Sequence, residues 1–153
     1  MEALVRDADA LIADRLAKGL DRFDEKHFGR YVVVNAPSRS HAEVVGKLLV
    51  WLQARGLYAI VGVNVGDEKN FRIPDVNAWA ASPEGEDFFS GESAPGLVAE
   101  VLSPSNTRAE MAERERHYLE HGVQTYVELN LAGHVMYANE ESDLVTDLRS
   151  HFA

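Results

Sequence analysis

The chain has 153 residues, of which 46% are hydrophobic and 26% charged, as expected for one globular domain with its own core. It contains no cysteine, which excludes disulfides, thiolate metal sites and cysteine nucleophiles and agrees with a reducing, cytoplasmic location. The formal net charge of −10 argues against a broad nucleic-acid-binding surface, so any such contact has to be local. No apolar run could span a bilayer and no signal peptide is recognisable, so we expect no membrane association.

The N-terminal part of the chain predicts two helices with a short strand between them. Apolar side chains at helical spacing predict an amphipathic helix over about residues 2–20, and a strand is predicted over residues 31–34. Ser40 and Glu43 fit a capping box, which predicts a second helix that ends at Gly56. The inward stripe of that helix contains His41, Val44, Val45, Leu48 and Leu52.

The rest of the chain is predicted to be rich in strands. A helix is predicted between Thr107, its N-cap, and Gly122. The predicted strands cover residues 57–65, 71–80, 96–102, 123–129 and 134–137, with a turn at 66–70 and a loop at 82–95. This order predicts an α/β fold, a mixed β-sheet flanked by helices. We expect a helical extension over residues 1–28, one domain over 29–140 and a peripheral tail over 141–153.

Two carboxylates lie in segments that are otherwise apolar. Asp75 lies in the predicted strand 71–80, and Glu100 interrupts the strand 96–102, where alternation gives it the same face as Val98. Burying an unpaired carboxylate is costly, so each acid needs a partner. The sequence allows two kinds of partner. One is a divalent cation shared by both acids, and the other is an ion pair with Arg72, Arg114 or Arg116.

Arg114 adds a cation on the side of the helix that faces these acids. It lies three residues after Met111 and four before Tyr118, which mark the inward face. Asp75, Glu100 and Arg114 together suit phosphodiester hydrolysis. The acids would hold Mg²⁺ or Mn²⁺, with the Val101 carbonyl as a further ligand, and Arg114 would stabilise charge developing on the phosphate. A structural salt bridge is an equally good interpretation of Arg114.

The motifs around these residues resemble a known family. Pro74-Asp75 is followed by residues 100–105, Glu-Val-Leu-Ser-Pro-Ser, by a helix containing Tyr118, and by residues 122–126, Gly-Val-Gln-Thr-Tyr. This pattern is similar to that of the PD-(D/E)XK nuclease superfamily and, more narrowly, of the Uma family of restriction endonucleases. The resemblance covers roughly residues 29–138.

The resemblance implies a restriction-endonuclease-like core, a DNA substrate and a homodimer, by analogy with nucleases that pair to cut both strands. It implies that Asp75 and Glu100 are the metal-binding acids. Leu102 stands where the superfamily's usual lysine would be, and the position to which the Uma family moves that lysine is Arg114. His41 matches a histidine common in the family, although a core or capping role is the more ordinary interpretation.

Two departures from the family pattern bear on activity. Arginine in place of lysine keeps the charge but cannot give up a proton, so a proton-shuttle role is lost while a phosphate contact survives. Arg30 stands where the family often has an acid. Three hypotheses follow. The first is a Mg²⁺-dependent endodeoxyribonuclease. The second is a catalytically degenerate interaction or regulatory module, and the third is a globular protein whose acids only form salt bridges.

Overall fold

The computed structural model describes residues 3–4, 24–34 and 38–153. Within these ranges the chain alternates short strands with three helices. The helices are α1 (Arg39–Ala54), α2 (Arg108–Glu120) and α3 (Asp143–His151). The first six strands are β1 (Ala3–Leu4), β2 (Glu25–His27), β3 (Arg30–Val34), β4 (Tyr58–Ile60), β5 (Asn64–Asp67) and β6 (Asn70–Arg72). The others are β7 (Val76–Trp79), β8 (Phe88–Phe89), β9 (Leu97–Val101), β10 (Thr125–Leu129) and β11 (Val135–Ala138).

A five-stranded mixed sheet forms the centre of the fold. Its strand order is β11-β10-β9-β7-β4, and β9 and β10 are parallel whereas the other neighbours are antiparallel. Helices α1 and α3 contribute Leu48 and Leu148 to the larger core, which covers one face of the sheet at Ala99 and Val101. On the opposite face, Tyr118 of α2 packs against Val98 in a smaller core. Successive residues of β9 therefore point alternately to the two cores.

A second, six-stranded sheet lies beside the first. Its order is β1-β3-β2-β6-β5-β8, and all of its pairings are antiparallel except that of β5 with β8. One of its faces is held against α2 by buried polar contacts. The Nε2 atom of His117 lies 2.7 Å from the carbonyl oxygen of Val65, and Arg72 is paired with Glu113. Helix α2 therefore contacts both sheets and joins them.

The start of α1 differs from the sequence prediction. The N-cap is Ser38, not Ser40, because Ser38 has the extended backbone of a cap and its hydroxyl accepts a hydrogen bond from the amide of His41 at 3.2 Å. The helix ends as predicted, before Gly56 in a left-handed conformation. Its buried stripe contains Val44, Leu48 and Leu52, with His41 and Val45 half-buried, as predicted.

Two predicted strands are each divided between the two sheets. Residues 57–65 split into β4 and β5 at a bend around Gly62, which has a φ of 75°. Residues 71–80 split into β6 and β7, so that Asp75 lies in the connection rather than inside a strand. The predicted loop 82–95 contains β8 and a single 3₁₀ turn at Gly91–Ser93.

The remaining predictions concern the two ends of the chain. Residues 3–4 form a strand rather than the start of a helix, and the rest of the helix predicted over residues 2–20 lies outside the described residues. Residues 25–27, assigned to the N-terminal extension, form β2 within the second sheet. The C-terminal segment contains α3, whose Leu148 is fully buried.

The predicted fold class is confirmed: the protein is a mixed α/β structure in which β-sheets are flanked by helices. In the described part of the chain no helix is long and apolar enough to cross a membrane.

Candidate functional site

Asp75 and Glu100 lie side by side where the connection between β6 and β7 passes the end of β9. The backbone amide of Asp75 donates to Oε1 of Glu100 at 2.9 Å, and the amide of Val101 donates to Oδ2 of Asp75 at 2.7 Å. These two bonds arise because β7 pairs antiparallel with β9, with Val76 opposite Ala99. The pairing register therefore brings together two acids that are 25 positions apart in sequence.

Arg114 reaches this pair from α2, as its position on the inward face predicts. The Nε atom of Arg114 donates to Oε2 of Glu100, which also accepts a hydrogen bond from the hydroxyl of Tyr118 at 3.1 Å. The guanidinium also donates to the Tyr118 hydroxyl, at 2.9 Å, and to the carbonyl of Ile73, at 3.3 Å. Only 6% of Arg114 is exposed, so its contacts are mainly to the protein.

Glu25 on β2 is a third acid at this site, is almost fully buried, and was not among the predicted site residues. Its two carboxylate oxygens accept from Nη1 and Nη2 of Arg114, both at 2.7 Å, in a forked ion pair. Oε2 of Glu25 also accepts from the amide of Ile73 at 2.8 Å, and Oε1 lies 2.9 Å from Nε2 of His27. Arg114 thus bridges Glu25 and Glu100.

The signal that could have found Glu25 is weak. Within β2, alternation places Glu25 and His27 on one face and Lys26 on the other. Residues 24–27 are, however, all charged or ionisable, and such a run is typical of an exposed segment. Only its pairing with Val32, which is fully buried, indicates that this face points inward.

His41 completes the site from the first turn of α1. Its Nε2 atom lies 3.1 Å from Oδ2 of Asp75, and this hydrogen bond raises the pKa of His41 above its usual value. The Nδ1 atom of His41 is buried and has no hydrogen-bond partner among the described residues. The side chains of His41 and Asp75 are 14% and 19% exposed, so they form the edge of the site that solvent reaches.

The two acids that share Arg114 have opposite pKa shifts. Burial raises the pKa of Glu100 to about 7, and the nearby charges of Asp75 and Glu25 act in the same direction, against the attraction of Arg114. Burial alone would also raise the pKa of Glu25. The charge of Arg114 and hydrogen bonds from His27, Arg114 and Ile73 instead hold it well below its usual range. Glu25 is therefore the firmly ionised partner of Arg114, and Glu100 is the acid that most needs further positive charge.

Asp75, at the solvent-accessible edge, and the buried Glu100 beside it offer the carboxylate oxygens that a hard divalent cation prefers. Among the described residues, none donates a hydrogen bond to Oδ1 of Asp75, and one, the amide of Asp75, donates to Oε1 of Glu100, so neither oxygen has all its lone pairs occupied by these residues. No group of three or more His, Asp or Glu side chains in the described ranges is placed to hold a metal. Two carboxylates plus water is, however, a common way to bind Mg²⁺. The predicted role of the Val101 carbonyl stays a prediction.

The structure therefore brings together the four predicted side chains, Asp75, Glu100, Arg114 and His41, and adds Glu25 to them. The chain matches, over residues 14–134, the family described as "Uma2: Putative restriction endonuclease". No curated protein matches it.

Among solved structures, the chain resembles one described as a putative nuclease belonging to DUF820 from Anabaena variabilis ATCC 29413. The two share 18% sequence identity with a TM-score of 0.61, and the similarity covers 84% of this chain and 80% of that one. This likeness supports the nuclease-like fold. Because the family match extends over most of the chain, this protein belongs to the Uma2 family of restriction-endonuclease-like proteins.

Proposed function

We propose that this protein is a metal-dependent endonuclease that hydrolyses phosphodiester bonds in DNA. The observation that carries the proposal is the pair of hydrogen bonds that holds the two acids together, from the amide of Asp75 to Oε1 of Glu100 and from the amide of Val101 to Oδ2 of Asp75. Glu100 is buried, Asp75 lies at the solvent-accessible edge, and Oδ1 of Asp75 accepts no hydrogen bond from a described residue. Family membership adds support for a nuclease. We further propose that the protein acts as a homodimer, which could cut both strands of a duplex.

Asp75 and Glu100 are the residues that would hold Mg²⁺ or Mn²⁺ in this proposal. Such an ion, when bound, supplies a Lewis acid and lowers the pKa of its bound water. The Val101 amide and His41 Nε2 both contact Oδ2 of Asp75, which leaves Oδ1 directed away from these partners. Burial is the main cause of the raised pKa of Glu100, and the nearby charges of Asp75 and Glu25 add to it, so the positive charge of a divalent cation would favour the ionised carboxylate.

Arg114 has a positioning role in the geometry described. Its Nε–H fixes Oε2 of Glu100, while the other end of the guanidinium is held by Glu25. Oε1 of Glu100 is thereby oriented towards Asp75. A direct contact between Arg114 and the scissile phosphate stays a prediction, and it would require the guanidinium to share its donors with the substrate.

Cleavage of supercoiled plasmid and of circular single-stranded DNA tests the proposal. With Mg²⁺ or Mn²⁺ the wild type should cut, and Asp75→Ala and Glu100→Ala should fall to background. Glu128→Gln is the matched control. Glu128 is a buried acid directly opposite Glu100 on β10, but it contacts Arg108 and Tyr126 rather than the site. Equal cleavage by wild type and both site variants would defeat the proposed mechanism.

A catalytically degenerate interaction or regulatory module is the second candidate. The observation in its favour is the bridge of Arg114 between Glu25 and Glu100, since a fixed guanidinium already neutralises part of the charge that a metal would meet. Titration calorimetry with Mn²⁺ separates the two candidates. Binding that is lost in Asp75→Ala supports the nuclease, whereas absence of binding at millimolar Mn²⁺ supports the module.

A further inference from the structure

The six-stranded sheet has two faces of opposite character. Glu25, Val65 and Arg72 point towards α2 and are buried. Because side chains alternate along a strand, their neighbours in sequence point to the other face, which we call the outer face. No described helix packs against the outer face, whereas α2 contacts β5 and β6 from the opposite side.

The outer face carries a row of aromatic and cationic side chains. Lys26 on β2 is directly opposite Tyr31 on β3 and also directly opposite Phe71 on β6, so the three side chains are neighbours across three strands. The ammonium group of Lys26 lies 4.8 Å from the centre of the Tyr31 ring. Phe71 in turn contacts Phe88 of β8, with ring centres 5.4 Å apart.

These residues line a concave surface with a volume of about 630 Å³. Its lining also contains Lys69, Asn64 and Ile73. The three rings are partly exposed, and Phe88 is 38% exposed. Ile73 is two residues before Asp75 in the chain, so the surface adjoins the candidate site.

The described lining of this surface is less acidic than the chain's net charge of −10 suggests. Lys26 and Lys69 contribute two ammonium groups to the lining, and Asp24 and Glu68 contribute two carboxylates, of which that of Asp24 belongs to a residue only 9% exposed. One neighbouring acid, Asp67, is occupied within its own turn, where its carboxylate accepts from the amides of Lys69 and Asn70 at 2.9 and 3.0 Å. Glu68 is an exposed acid at the rim. The lining is therefore close to neutral, and one of its two ammonium groups, that of Lys26, lies beside the aromatic rings.

We propose that the outer face binds unpaired nucleotides of a nucleic-acid strand and delivers that strand to the candidate site. This deepens, and rests on, the proposed nuclease function. Aromatic rings set in a sheet bind nucleotides by stacking on base faces, and lysines beside them bind the phosphates. In a duplex the base faces are covered by neighbouring base pairs, so a stacking surface selects single-stranded segments. The binding is expected to be largely independent of sequence.

Fluorescence anisotropy with a labelled oligothymidylate, measured in EDTA, tests this binding apart from cleavage. The wild type should bind the single strand more tightly than a duplex of the same length, and an RNA oligonucleotide distinguishes DNA from RNA as the natural strand. Phe71→Leu should weaken binding about fivefold to a hundredfold, the range for the loss of one stacked base. Lys26→Gln should lower the salt dependence of the affinity by about 0.7 in the log–log slope.

Two controls match these variants in type and exposure. Tyr58→Leu removes a partly exposed strand aromatic from the other sheet, and Lys47→Gln removes an exposed lysine from α1. Both should bind like the wild type, and melting curves should show that all four variants are folded. Preference for the duplex, lack of binding at low salt, or equal losses in variants and controls would overturn the proposal. Asp75→Ala should not cut DNA but should still bind the single strand. Strand binding by the outer face can therefore be tested separately from cleavage at the candidate site.

Discussion

Replacement of Glu25 by glutamine tests the buried bridge at the centre of the site. Glu25 is 1% exposed and accepts four hydrogen bonds or ion-pair contacts, two of them from Arg114 at 2.7 Å. Glutamine keeps the shape but removes the charge, and one of its terminal atoms becomes a donor that faces other donors. Removing one partner of a buried ion pair costs roughly 3–5 kcal/mol.

For a domain of this length each kcal/mol shifts Tm by about 2–4 °C, so Glu25→Gln should melt about 6–20 °C below the wild type. Glu43→Gln is the control, because Glu43 pairs with Arg39 on the surface, where the two side chains are 55% and 92% exposed. Its effect should stay within about 0.5 kcal/mol. Both values come from thermal melts followed by circular dichroism. A Glu25→Gln variant that melts with the wild type would refute the inference that Glu25 anchors Arg114.

The pH dependence of this difference follows from the lowered pKa of Glu25. An acid with a lowered native pKa contributes stability above its unfolded pKa, and this contribution is lost as the pH falls through the native pKa. The gap between wild type and Glu25→Gln should therefore be constant from about pH 8 to pH 5 and shrink only in stronger acid.

Three further predictions concern stability. The pKa of Glu100 is raised from 4.5 to about 7, so in metal-free buffer the wild type should gain stability relative to Glu100→Gln as the pH falls from about 8 to 5. A pH-independent difference in denaturant melts would contradict this. Burial lowers the pKa of His117 from 6.5 to about 4. As the pH falls from about 7 to 4, the wild type should therefore lose stability relative to His117→Gln. If the stabilities of the two proteins changed equally with pH, this prediction would be wrong. Gly66→Ala should lower Tm clearly, since a Cβ there would lie 2.2 Å from the carbonyl oxygen of Asn70 at a φ of +130°. Gly46→Ala, at a helical position where a Cβ meets no atom, should instead stabilise the protein by about 0.5–1 kcal/mol. If both alanine variants changed the stability in the same direction, this explanation would be refuted.

The elements with strong periodicity could be predicted from the sequence. Helix α1 and strands β9 and β10 have clear apolar patterns. Helix α2 is mostly polar and is predicted by its ends, and Thr107 caps it as predicted, with its hydroxyl accepting a hydrogen bond from the amide of Glu110. The division of two apolar runs between two sheets could not be predicted. Hydrophobic periodicity reports burial, but it does not report which sheet buries a strand.

The candidate site could be predicted only where a charged residue contrasts with the residues around it. Asp75, Glu100 and Arg114 stand out because each interrupts an apolar pattern, and the structure places all three in contact. Glu25 has no such contrast with its neighbours. Its burial depends on Arg114, 89 positions away, and such long-range pairing is set by strand order rather than by local sequence.

The most direct test of the central claim is the location of a bound metal. Crystals soaked in millimolar Mn²⁺ should show one anomalous density peak in contact with Oδ1 of Asp75 and Oε1 of Glu100, with Arg114 still bridging Glu25 and Glu100. The peak should be absent in Asp75→Ala crystals treated in the same way. Wild-type crystals without density between these two oxygens would contradict the proposed metal site and favour the degenerate module.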